Sequence, residues 1–109
     1  MNTKYGQFSE EQIDGYKVIL HKKLFWLLLY KDPKTKKDYE SVDFERYYSG
    51  LMGEINGFNE LLSCPKQIVE IMSLLEAALI ESRNDDFDYS KYRKYVLDAH
   101  ALIDQIGKR

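Results

Sequence analysis

Apolar positions recur at helical spacing in four stretches of the chain. In the first, Ile13, Tyr16, Leu20, Leu24, Leu27 and Leu28 predict a helix from about residue 10 to residue 30. Ser9 and Gln12 stand three apart as a capping box, and Phe8 and Ile13 are placed as a hydrophobic staple. Glu10, Glu11 and Asp14 put negative charge at the positive end of the helix dipole. Pro33 disfavours helical geometry at Asp32 and ends the element near Tyr30. The run from Leu24 to Tyr30 is apolar nearly all round. A helix of that kind is either central in a bundle or turns one face to a partner.

The second stretch has the clearest period. Phe44, Tyr48, Leu51, Ile55, Phe58 and Leu62 alternate four- and three-residue steps, a heptad seam over residues 43–62 with Ser41 or Asp43 as cap. Cys64-Pro65 stops it. A third helix follows at once over residues 65–82, with Pro65 in its first position and Cys64 as cap. Its stripe is Ile68, Met72, Leu75 and Leu79, widened by Ile71, Leu74 and Ala78, and Asn84 is its C-terminal stop. The fourth, over residues 89–106, is capped by Asp88 or Ser90, carries Tyr92, Val96, Ala99, Ile103 and Ile106, and closes on Gly107. No stretch alternates with period two at a convincing length, so no strand is expected. Two of the three connections are short, which makes successive helices antiparallel. The expected fold is all-α: a single-domain, up-down-up-down four-helix bundle.

Length agrees with one domain, since 109 residues support one hydrophobic core. With 44% hydrophobic and 31% charged residues, the chain has the composition of a soluble globular protein. The longest apolar run is seven residues, bounded by His21-Lys22-Lys23 and Lys31-Asp32, too short for a membrane span. No secretory signal is visible and there is a single cysteine, so the expected compartment is the cytoplasm.

The net charge of -2 hides a strong asymmetry. Residues 17–37 hold seven lysines and one aspartate, whereas residues 38–88 hold twelve acids and three bases. The lysine-rich loop 31–37 is either a phosphate contact or a solvated turn, and lacks the glycines and arginines of a phosphate site. Loop 84–89 carries Asp85, Asp86, Phe87 and Tyr89. It is either an acidic anchor for a basic groove or a helix start in which Phe87 and Tyr92 form a staple. It lacks the calcium-loop pattern.

Gly50, Gly53 and Gly57 lie on one side of the second helix. Each costs about 1 kcal/mol against alanine inside a helix, so a close-packed face, or a groove for a partner, is expected there. Arg93 and His100 share a face of the fourth helix, and the pair resembles the Arg-to-His motif of HEPN-type ribonucleases, small helical proteins that form a composite site as dimers. That resemblance rests on two residues and implies His100 as general acid or base and Arg93 as phosphate ligand. Lys94 departs from the small polar or acidic residue common in that motif. His21 has no Glu-x-x-His context, Cys64 has no acid–base partner in the sequence, and neither metal nor cofactor is expected.

Nine tyrosines exceed what a one-sided core absorbs, and Phe25 and Trp26 add to the surplus. The expectation is therefore a non-enzymatic protein that binds another protein, as an inhibitor or immunity-type factor, with a nucleic-acid-handling enzyme as the partner. Its expected contacts are Asp85, Asp86, Phe87, Tyr89, Tyr47, Glu54 and Glu60. The alternatives are the dimeric ribonuclease and a homodimer closing through the glycine face. Direct nucleic-acid binding is not expected.

Overall fold

A computed structural model of the chain describes residues 2–3, 6–7, 10–62 and 65–106, the side chains of residues 2, 3, 6, 7, 10 and 61 excepted. Four helices form the body: α1 (Glu10–Lys31), α2 (Phe44–Leu61), α3 (Lys66–Ser82) and α4 (Tyr89–Ile103). Two two-residue strands, β1 (Asn2–Thr3) and β2 (Gly6–Gln7), pair antiparallel ahead of them. They correct the expectation of no strand, but two-residue strands carry no alternating pattern that a sequence could show. The capping-box and staple residues Phe8 and Ser9, the thiol of Cys64, and Gly107 lie outside the described residues.

The helices pack as a ring. α1 contacts α4 and α2, and α3 contacts α4 and α2, so α1 and α3 occupy opposite corners. The resulting body measures 44 × 22 × 19 Å. The most extensive packing is between α3 and α4, and the slightest joins α1 to α2.

Each helix drives one heptad row inward. α1 contributes Ile13, Leu20, Leu24 and Leu27; α2 contributes Tyr48, Leu51, Ile55 and Phe58; α3 contributes Ile68, Ile71, Leu75 and Ala78; α4 contributes Tyr92, Val96, Ala99 and Ile103. Removing each such aliphatic side chain from water stabilises the fold by roughly 2 kcal/mol. Tyr92 is the largest fully buried side chain among the described residues, and its hydroxyl donates to the Leu27 carbonyl at 2.6 Å, which satisfies it across the α1–α4 contact.

The ends follow local chemistry. Asp43 caps α2 by accepting from the Arg46 amide at 3.1 Å, and Asp88 caps α4 by accepting from the Ser90 amide at 2.9 Å. Pro65 is itself the cap of α3 rather than its first residue, because its ψ of 143° is extended. α4 ends at Ile103 and continues as a turn through Ile106, which keeps Ile106 buried without regular helix. The long first connection contains a short 3₁₀ helix, Lys36–Tyr39.

Candidate functional site

The residues expected to bind through loop 84–89 do not make one surface. Asp85 and Asp86 are exposed, but Phe87 packs on the core and meets the Tyr92 ring edge-on at 5.7 Å. The Tyr89 hydroxyl donates to the Leu28 carbonyl at 3.4 Å, and burial pushes its pKa upward. The Tyr47 hydroxyl donates to the Lys23 carbonyl at 2.9 Å, and desolvation raises its pKa to about 12. Tyr47 and Tyr89 therefore tie α1 to its neighbours, Phe87 packs within α4's own start, and all three are only partly exposed. Glu54, halfway down α2, pairs with Lys23, and Glu60 is exposed near the other end of that helix.

On the glycine face, the structure does not bear out close packing within the chain. A Cβ built on Gly50, Gly53 or Gly57 meets nothing within 4 Å among the described residues. No helix crosses there; the three positions form an open, solvent-facing strip of α2.

Two histidines that the sequence holds 79 residues apart come together between α1 and α4. His21 Nδ1 lies 2.8 Å from His100 Nε2, and His21 Nε2 lies 2.9 Å from an Asp104 carboxylate oxygen. Asp104 accepts from His21 Nε2–H, and the tautomer decides which of the two rings donates across the His21–His100 contact. Burial lowers the pKa of His100, and the adjacent His21 lowers it further, against the pull of Asp104. Lys17, buried on the same side of α1, donates to the Asp104 carbonyl at 3.3 Å. This chain of polar groups escapes sequence reading because each member looks isolated; only the antiparallel α1–α4 pairing aligns them. Arg93 is exposed two turns from His100, about 10 Å along the axis. Among the described residues no three His, Cys, Asp or Glu side chains are placed to hold a metal ion.

Four of the exposed large hydrophobic residues among those described lie on the outer side of α1. Gly15, Val18, Lys22, Phe25 and Leu29 step by three, four, three and four residues, a heptad row on the side away from the buried one. Ile19 and Trp26 flank it. Val18, Ile19, Phe25 and Trp26 are between 39% and 53% exposed. Trp26 is steadied by Tyr30 and by Tyr39 of the 3₁₀ helix, with ring centres 5.9 and 5.7 Å away. α1 thus has apolar residues on both sides, one side in the core and the other exposed. The surface is apolar with a lysine at its centre, and its flat part spans about 20 Å from Gly15 to Leu29.

Among the described residues no helix is long and apolar enough to cross a membrane. Comparisons with known protein families, with curated proteins and with solved structures give no match for this chain.

Proposed function

We propose that the chain is a non-enzymatic binding protein whose contact surface is the outer row of α1. The supporting observation is that Val18, Ile19, Phe25 and Trp26 stay exposed on a helix whose other side already fills the core. Those four side chains lie outside the buried core, and exposed apolar surface of this kind is where an interaction site is expected. The heptad spacing suits a helix as the docking element. Lys22 at the centre favours a partner helix with an acid at the matching position. Occupying a partner's surface in this way is how a small bundle acts as an inhibitor or immunity-type factor in the cytoplasm.

A photo-crosslinking residue in place of Phe25, compared with one in place of Lys94 on α4, tests the reading in native cells. The expected result is a protein adduct from position 25 that excess unlabelled protein suppresses, with none from position 94. Adducts absent at position 25 would remove α1 as the contact surface.

A ribonuclease reading keeps one observation in its favour, the neutral, hydrogen-bonded His100 beside His21 and Asp104. Incubating the wild-type protein with single-stranded RNA tests it. Cleavage that disappears in a folded His100→Ala variant supports it, and no cleavage by the wild type ends it.

A further inference from the structure

Every exposed large hydrophobic residue among those described lies on α1 or on α3, the two helices at opposite corners of the bundle. On α3 they are Val69, 47% exposed, and Ile80, 70% exposed. Both belong to a second outward row, Val69, Ser73, Glu76, Ile80 and Arg83, whose members are all exposed. Its steps of four, three, four and three residues mirror those of the α1 row. The two rows also differ in charge at their centres, Lys22 on α1 and Glu76 on α3.

We infer that the α1 row of one molecule docks antiparallel on the α3 row of a second copy of this chain. The inference rests on the α1 binding surface proposed above and names its partner. With the directions opposed, the step patterns coincide over their whole length. Val18 then faces Ile80, Lys22 faces Glu76, Phe25 faces Ser73 and Leu29 faces Val69. The bulky Phe25 meets a small residue, as a knob needs a hole. Gly15 leaves room at Arg83, whose guanidinium is held by Glu45 at 2.7 Å. In the parallel direction the nearest matching register keeps two apolar pairs, Val18 with Val69 and Leu29 with Ile80, but it sets Phe25 against the Glu76 carboxylate and leaves Lys22 opposite Ser73, which loses the charge match.

Glu76 also lines a groove of about 330 Å³ between α2 and α3, with Tyr48, Met52 and Leu79 among its walls. The Tyr48 hydroxyl is buried there without a hydrogen-bond partner. The α3 row thus has a groove beside it with the Glu76 carboxylate on its wall, and Lys22 is the charged group at the centre of the α1 row. Because the two rows sit at opposite corners, one docking event leaves each molecule a free row of the other kind. The contact is heterologous, and association is open-ended rather than closed at a dimer.

Sedimentation velocity with face-blocked variants tests this. Phe25→Asp blocks the α1 row and Ile80→Lys blocks the α3 row, and circular dichroism checks that both exposed substitutions leave the fold intact. The wild type is expected to form progressively larger species with rising concentration, each variant to be monomeric, and their equimolar mixture to form a one-to-one dimer. Lys22→Glu and Glu76→Lys are each expected to weaken association about tenfold, and the double variant to recover it. A wild type that stays monomeric at millimolar concentration overturns self-docking, yet the position-25 adduct to a different protein would leave the binding function standing. Association that survives Ile80→Lys but not Phe25→Asp places α1 against α1 and also overturns the inference. So does a mixture that forms no dimer.

Discussion

Helices α1 and α4 lie side by side and bury comparable inner rows, but their outer sides differ. The outer side of α4 carries Lys91, Arg93, Lys94 and Asp98, all exposed and charged, as expected of a helix whose role ends with the core. The outer side of α1 repeats the apolar heptad of its inner side with Lys22 as its one charged member between Gly15 and Leu29. The difference separates two uses of hydrophobic residues in one short chain. On α4 they hold the bundle together, whereas on α1 Val18, Ile19, Phe25 and Trp26 stay exposed.

The sharpest way to break that comparison is to mutate neighbours on α1. Leu24 is fully buried and Phe25, the next residue, is half exposed. Leu24→Ala is expected to destabilise the protein by about 3 kcal/mol, and Phe25→Ala by less than about 1 kcal/mol. Urea denaturation measures both; similar losses would mean that the outer row serves the fold.

A smaller effect is expected at the start of α4. Asp88→Ala removes the carboxylate that accepts from the Ser90 amide, and should cost about 1 kcal/mol in the same denaturation experiment. An unchanged midpoint would show that the Phe87–Tyr92 staple alone fixes that end. The opposite sign is expected on the open strip of α2. Gly53→Ala meets no atom within 4 Å and adds helix propensity, so it should stabilise by up to about 1 kcal/mol. A loss instead would reveal a close contact on that strip.

These sites also show what was legible in the sequence. The inner rows and the caps at Asp43 and Asp88 are local, since spacing and side-chain type decide them. The role of the three glycines was not legible, because a glycine in a helix signals close approach and an open strip with equal force. Phe87, Tyr89 and Tyr47 look like surface aromatics in sequence, but their hydroxyls and rings reach across to neighbouring helices, and that reach depends on packing. His21 and His100 were unreadable as a pair for the same reason. The outer row of α1 was partly visible in the apolar run from Leu24 to Tyr30, but which side faces out depends on where α2 and α4 sit.

The smallest expected effect concerns pH and the α1–α4 seam. His100 has a pKa below the ordinary value of 6.5 in the folded protein. The unfolded chain therefore binds its proton more tightly, so the stability it confers is complete above about pH 6.5 and declines as the pH falls below that value. A stability–pH profile should show this decline, and His100→Gln should flatten it; a slope unchanged by the substitution would assign the decline to the carboxylates.

In the proposed assembly the outer row of α1 docks on the α3 row of a second molecule. Sedimentation velocity of Phe25→Asp beside the wild type, at equal concentration and in low salt, tests it most directly. The expected result is a folded variant that sediments as a monomer beside a wild type that sediments faster as concentration rises. Identical sedimentation of the two proteins at every concentration would contradict it.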